Sequence, residues 1–383
     1  MGSLYLDHNA TTPVEPRVVA AMMPWFERAG NAASLHELGR RGREAVETAR
    51  DQVAALLGAA PPEIVFTASG TEANNAVVQT VADTHSDGHL VISAFEHPSI
   101  LAAAARLEER GFAVSRVAPE PSGRVMPEAV AAQLRRDTRL VCLMLANNEI
   151  GSVQPVAEVA ALAQARGARV LCDAVQAVGK IPFTVGELGV DYLTIGAHKF
   201  YGPLGAAALW IGRGVEFSPL LVGGSHERHR RAGTLNVPAI VGFGAAAALV
   251  DEELAAWSDH MLEVRDRFEA GLASIGETRV HAAAVPRLPN TSNVAFLGVD
   301  AEALMVRLDL RGFAVSTGSA CSSGVVEMSE TMKALGVDEN EAVASLRISF
   351  GKDSTGAGVE ALLTALREEV AALRELGAEG ASV

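Results

Sequence analysis

Cys321 lies in "VSTGSACSSG" (315–324), among small, polar and glycine residues. A thiol there has little to pack against, and a free thiol, with an ordinary pKa of about 8.5, is reactive only once deprotonated. Three other short stretches carry complementary groups. "VLCDAVQAVGK" (170–180) ends a β-rich run on Asp173, and a carboxylate at the C-terminal edge of a parallel sheet faces the usual ligand crevice and needs donors or a cation there. "DYLTIGAHKFYGPLG" (191–205) places His198 and Lys199 in a glycine-rich turn after a strand. A lysine held among small and aromatic residues suits a lowered pKa and Schiff-base chemistry. "EIVFTASGTEANNAVV" (63–78) reads as strand, small-residue turn and helix start. Its turn offers the backbone N–H groups of Gly70, Thr71 and Glu72 to an anion such as phosphate, although Ser69 to Glu72 also reads as an ordinary N-cap.

Each stretch alone has a plain reading, a surface lysine or a capped helix. Together they match one cofactor. Pyridoxal phosphate requires a lysine for its aldehyde, an acid against its pyridinium nitrogen, an aromatic or imidazole over its ring and an anion cup for its phosphate. The chain supplies a candidate for each in separate loops that follow strands.

The elements that must position these groups show in the hydrophobic rhythm. Short β-rich runs at 63–67, 89–93, 112–117, 139–145, 169–173, 191–195 and 206–211 alternate with stretches long enough for crossover helices at 71–83, 98–110, 127–136 and 156–166. This alternation predicts a mainly parallel sheet with helices on its faces. Apolar residues Leu254, Trp257, Met261, Val264, Phe268 and Leu272 recur at helical spacing and predict one long helix. Beyond it the rhythm changes to strands near 291–297 and 345–350 and helices near 301–311 and 359–376. A smaller α+β domain is expected from residue 251 onward, with the extreme N-terminus packed against it.

Composition narrows the functional classes. With 383 residues, 49% hydrophobic and 20% charged, the chain suits a soluble protein of two domains. Its 46 acidic against 32 basic residues give a net charge of −14, which opposes nucleic-acid binding and docking to anionic membranes. The N-terminus lacks a signal-peptide pattern, and "AIVGFGAAAALV" (239–250) is too short to span a bilayer and reads as a buried helix. Three cysteines without a C-x-x-C pair indicate neither a disulfide framework nor a zinc site, so a cytoplasmic location with reduced thiols is expected. Cys142 and Cys172 sit in apolar runs and read as core residues.

With these groups in view, the chain resembles the cysteine desulfurases of the NifS/IscS kind, within the class V aminotransferase-like enzymes. The resemblance rests on "YLDHNATTP" (5–13), "NAASLHELG" (31–39), "IVFTASGTEANN" (64–75), "EHPSI" (96–100), "NNEIG" (147–151), "DAVQAVGK" (173–180), "AHKFYGPLG" (197–205), "HERHRRAGTLN" (226–236), "STGSACSSG" (316–324) and "SLRISFG" (345–351). It implies a PLP-dependent transferase fold (aspartate aminotransferase-like, fold type I). A large domain over residues 12–250 would hold a mainly parallel seven-stranded sheet, and residues 1–11 with 251–383 would form the small domain carrying the Cys321 loop. Pyridoxal 5'-phosphate would bind to Lys199 as its Schiff base, with Asp173 at the pyridinium nitrogen and His97 stacked on the ring. Gln176 and Asn148 would address the phenolic oxygen, while Gly70, Thr71 and His198 hold the phosphate. Thr234 would reach the phosphate of a neighbouring subunit, which implies a homodimer. Arg347, helped by Asn148, would clamp the substrate carboxylate.

The implied reaction converts L-cysteine to L-alanine and leaves a persulfide on Cys321 for a sulfur-acceptor protein, in iron–sulfur cluster assembly, tRNA thiolation or another thio-modification. Lys199 would shuttle the Cα proton, and His97 or the substrate itself would help deprotonate Cys321. The loop is expected to be mobile or held away from Lys199 at rest.

The chain departs from the family pattern at three places. Gly196 stands where a serine is usual, which removes one phosphate donor; Met328 and Glu330 replace a proline and a histidine, and Leu204 replaces a frequent lysine. "GFGAAA" (242–247) has no preceding strand and reads as helix packing rather than a dinucleotide site, "HERHRR" lacks metal-ligand spacing, and His85 and His89 read as exposed turn residues. Two rival readings remain at this point: an aminotransferase or lyase on the same cofactor, and a scaffold without turnover. Selenocysteine is an alternative substrate.

Overall fold

The computed structural model describes residues 4–317 and 328–380. After a two-residue strand β1 (Leu4–Tyr5) come seven strands of one sheet: β2 (Ile64–Thr67), β3 (His89–Ser93), β4 (Ala113–Val117), β5 (Thr138–Cys142), β6 (Arg169–Asp173), β7 (Tyr192–Gly196) and β8 (Ala207–Ile211). Their spatial order is β2-β8-β7-β6-β5-β3-β4. Strands β7, β6, β5, β3 and β4 pair in parallel, and β8 runs antiparallel to both its neighbours. β-Branched and leucine-rich runs form these strands because both faces are covered, which removes any need for polar alternation. Every residue of β2, β3, β7 and β8 is buried. One face packs on helices that include Gly70–Thr84 and Pro98–Glu108, the other on helices that include Glu37–Leu57 and Val156–Gln164. Cys142 and Cys172 lie in these two cores, and burial pushes both thiols well above their ordinary range.

A second core gathers on β9 (Thr278–Val280), β10 (Thr291–Phe296) and β12 (Ser345–Ser349), an antiparallel sheet in the order β12-β10-β9. Strand β11 (Phe313–Ala314) pairs in parallel with β1, and Asp7 bridges to Ser349, so the N-terminus does pack on this second core before it crosses to the large sheet. The same segment then reaches the large sheet, where the amide of Thr12 donates to the carbonyl of His198 at 2.9 Å.

The two helical stretches read separately at 239–250 and from Leu254 are one helix of 35 residues, Val237–Gly271, which runs unbroken through position 250. Its glycines fit rather than break it. A side-chain carbon at Gly242 would come within 2.5 Å of Met22 Sδ, and one at Gly244 within 2.5 Å of Ala49 Cα. The helix needs both to approach helices Pro16–Phe26 and Glu37–Leu57 closely.

His89 is not an exposed turn residue. It opens β3 and is fully buried, with its ring nitrogens 2.9 Å from Thr138 Oγ1 and 3.0 Å from Ser115 Oγ. Hydroxyls on the two flanking strands satisfy the ring, which offsets the cost of burying it. "HERHRR" also holds more than surface charge: Glu227 is buried, takes a two-pronged bond from Arg50 at 2.7 and 2.8 Å, and accepts from the amide of Phe66 at 2.8 Å. This anchoring holds Glu227, Arg228 and His229 at φ of 47, 56 and 65°, a left-handed run costly for residues with a Cβ.

Candidate active site

The parallel strands end on one edge of the sheet, and the loops leaving β2, β3, β5, β6 and β7 converge there on a cavity of about 270 Å³. Gly70, Thr71, His97, Asn148, Asp173, Gln176, His198, Lys199 and Arg347 all line it. Residues as far apart in sequence as Asn9 and Arg347 thus share one pocket. Thr234 is exposed and is not among the lining residues. Cys321 lies outside the described residues, as does the loop expected to be mobile. Described residues near positions 318–327 bond to residues at or next to the cavity wall. Ser316 exchanges backbone bonds with Arg347, at 2.6 and 3.2 Å, and Ser329 Oγ donates to Glu149 at 2.7 Å.

Asp173 ends β6 and is 6% exposed. Its carboxylate accepts from Asn74 Nδ2 at 2.8 Å and from the amide of Val175 at 3.0 Å. These two donors make its burial tolerable and leave it facing the cavity. Lys199 follows β7 in a short 3₁₀ turn and is half-buried. Its Nζ donates to the carbonyls of Asn9 and Ala10 at 2.5 and 2.7 Å. Burial, then the charge of Arg347, lowers its pKa to about 8, against a smaller upward pull from Asp7 and Asp173. The amine is therefore partly unprotonated near neutral pH.

His97 is the N-cap of helix Pro98–Glu108, and its Nδ1 accepts from the amide of Ser99 at 3.1 Å. That bond leaves the proton of the neutral ring on Nε2. Desolvation at the cavity wall pulls the His97 pKa down, Asp173 pulls it up, and Lys199 pulls it down again. His198 is pushed to about 4 by burial and then by Lys199 and Lys180. Both rings are neutral hydrogen-bonding groups at physiological pH.

At the turn after β2, Ser69 caps helix Gly70–Thr84 by accepting from the amide of Glu72 at 3.1 Å. The capping and anion-binding readings thus divide the turn between them. The Glu72 amide is taken, and the amides of Gly70 and Thr71 are the ones left to meet an anion. Glu72 in turn pairs with Arg231 at 2.8 Å and accepts from the amide of Ala68 at 2.9 Å, which braces the turn. A side-chain carbon at Gly70 would sit 3.1 Å from Val175, so glycine lets the turn lie close to the loop after β6.

Arg347, on β12, donates through one terminal nitrogen to Asp7 at 2.6 Å and through the other to the carbonyl of Asn148 at 3.1 Å, while its buried Nε has no partner among the described residues. The guanidinium is thereby held at the cavity wall, and its planar fork suits a carboxylate.

Sequence reasoning missed Asn9, Asn74 and Glu96. Asn9 belongs to the N-terminal segment and lines the cavity, and Asn74 lies one helical turn beyond Gly70 on the same face. That i, i+4 spacing from a candidate anion turn was the one available signal. Glu96 accepts from Ser93 Oγ at 2.6 Å and from the amide of Met144 at 2.8 Å, and burial pushes its pKa up to about 8. Nothing in "EHPSI" announced a neutral acid. Among the described residues there is no cluster of three or more metal-ligating side chains, and no helix is long and apolar enough to cross a membrane.

A primary amine, a buried carboxylate, a neutral imidazole and a pair of helix-turn amides in one cavity suit a flat ring that carries an aldehyde and an anionic tail. The comparisons with known proteins agree with that chemistry. The family model described as aminotransferase class-V matches residues 4–362. The chain is 40% identical over 377 residues to a cysteine desulfurase IscS of Methanosarcina thermophila, covering 98% of this chain and 93% of that one. A solved NifS-like protein superposes with a TM-score of 0.91 at 36% identity, over 97% of this chain and all of the other. A structure described as SspA in complex with cysteine gives 0.81 at 30% identity, over 92% and 99%.

Proposed function

Because this chain belongs to the class V aminotransferase family and is a cysteine desulfurase, we propose that the cavity holds pyridoxal phosphate and takes L-cysteine as substrate. The donor set supports the fit. Lys199 offers the amine for the aldehyde, Asp173 the acid for the ring nitrogen and His97 the imidazole for the ring face. The amides of Gly70 and Thr71 with His198 would hold the phosphate, and Gln176 and Asn148, which line the same cavity, would address the phenolic oxygen. When bound, the cofactor supplies an electron sink for the substrate's Cα.

The chain's own residues do the rest. Arg347 takes the substrate carboxylate, with Asn148 beside it, and so fixes the orientation of the amino acid. Lys199, with a pKa near 8, takes the Cα proton and returns a proton to carbon. Asp173, held in place by the donors Asn74 and Val175, would pair with the ring nitrogen. The thiolate of Cys321 attacks the substrate sulfur: the S–S bond forms, the Cβ–S bond breaks with its electron pair left on carbon, and protonation of carbon yields L-alanine. Cys321 keeps the persulfide, which passes to a sulfur-acceptor protein. Thr234, exposed and outside this cavity's lining, would serve the phosphate of a second copy in a homodimer. The unpaired, buried thiols of Cys142 and Cys172 accord with a cytoplasmic location.

The observation that carries this reading is the gathering of Lys199, Asp173, His97 and Arg347 around one cavity. Two variants test it. Lys199→Ala should lose the visible absorption of the lysine-bound cofactor and all alanine release. Cys321→Ser should keep the absorption and lose sulfur transfer from cysteine. Undiminished transfer in Cys321→Ser would instead favour a lyase on the same cofactor.

A further inference from the structure

Lys180 is 3% exposed and closes the turn that follows β6. Its Nζ donates to Asn9 Oδ1 at 2.8 Å and to Gln176 Oε1 at 2.7 Å. It has no carboxylate partner among the described residues, and the charges that act on it most are those of Lys199 and Arg347, both cationic. An interior lysine facing two other cations is costly, and two amide oxygens compensate only part of that cost. The position is therefore poorly explained by stability.

Its bonds explain it better. Lysine nitrogen donates here, so both amides must turn their oxygens toward it and their NH₂ groups away. Asn9 then donates to Thr291 Oγ1 at 2.9 Å and to the carbonyl of Asn148 at 3.1 Å. Gln176 donates through Nε2 to the carbonyl of Asn9 at 2.9 Å, on the cavity side. That carbonyl is the one on which Lys199 rests at 2.5 Å. One buried amine thus fixes the polarity of the Gln176 amide and the seat of Lys199.

We propose that Lys180 is a positioning residue that acts through Gln176: it turns the amide so that an N–H, rather than an oxygen, faces the phenolic oxygen of the bound cofactor. This rests on the proposed placement of Gln176 beside that oxygen. An amide turned the other way would set a carbonyl against a phenolate and raise the proton affinity of the chromophore.

The test is the pH midpoint of the visible absorption of the pyridoxal phosphate-loaded enzyme, followed in K180M, Q176L and the double variant. K180M and Q176L should each raise the midpoint by about one pH unit, and the double variant should exceed neither. An unchanged midpoint in folded, cofactor-bound K180M overturns the proposal, and so does a K180M shift that persists undiminished in the Q176L background. If K180M does not accumulate as folded protein, K180Q takes its place in the same cycle with the same two overturning outcomes. A wild-type protein without any visible cofactor band would sink the pyridoxal phosphate reading itself, a distinct result.

Discussion

Asn74 Nδ2 donates to Asp173 Oδ2 at 2.8 Å, across 99 residues of chain. The bond ties the helix opened by the Gly70 turn to the end of β6, so the anion turn and the buried acid are held at a fixed separation. Asn74 also donates to Ser99 Oγ at 3.0 Å, and that hydroxyl lies 2.8 Å from His97 Nδ1. Acid, anion turn and imidazole are thereby linked through one side chain.

Removing it should therefore be felt in stability and cofactor binding together. Asn74→Ala leaves a buried carboxylate short of a donor, at a cost of about 1–3 kcal/mol. Urea denaturation of the apo protein should show a lower midpoint with an unchanged slope, and pyridoxal phosphate should bind more weakly. A variant with wild-type stability and affinity would show that Asp173 does not need this partner.

Gly196 has ordinary strand geometry, φ −129° and ψ 126°, and a side-chain carbon there meets nothing closer than His198 at 3.6 Å. Gly196→Ser should fold normally. If the phosphate lies beside His198, the added hydroxyl should tighten pyridoxal phosphate binding by about tenfold, the worth of one hydrogen bond to a charged group. An unaltered dissociation constant would move the phosphate away from residue 196.

The lowered pKa of Lys199 sets a pH dependence for cofactor loading. Only the unprotonated amine adds to an aldehyde, so the rate at which apo protein takes up pyridoxal phosphate should climb between pH 6.5 and 8 and level off above about 8. A rate still climbing toward pH 10 would mean that Lys199 behaves as an ordinary surface lysine.

Acid should destabilise the apo protein early. Burial, reinforced by Lys180, lowers His8 to about 4, and burial with Lys199 and Lys180 does the same to His198, against an ordinary 6.5. Between these values the unfolded chain binds protons that the native state refuses. Stability from both rings is thus complete above pH 6.5 and lost as pH falls toward 4. Each ring contributes at most about 1.4 kcal/mol per pH unit. Glu96, protonated in the native state up to about 8, acts with the opposite sign above pH 4.5 and offsets one of the two. Urea denaturation at pH 6.5, 5.5 and 4.5 should show the decline, and His8→Gln should flatten it; an identical slope in that variant would remove His8 from the account.

The sequence by itself determined the sheet, the acid at the end of β6, the lysine turn after β7 and the small-residue turn after β2. Each is a local pattern, in which a hydrophobic run ends on a polar or glycine-rich turn. It also singled out Cys321, a thiol set among glycines and serines rather than in an apolar run. What the tertiary structure alone decided is which polar groups meet across the fold. Lys199 rests on the carbonyls of Asn9 and Ala10, Asn74 holds Asp173, Asp7 holds Arg347, and Lys180 orients Gln176. It decided, too, that His89 is buried and that one helix runs through residue 250. These facts were not legible because an asparagine or a histidine carries no local sign of burial. Its environment is set by strands and loops that fold against it from elsewhere in the chain, and only their arrival satisfies its polar atoms.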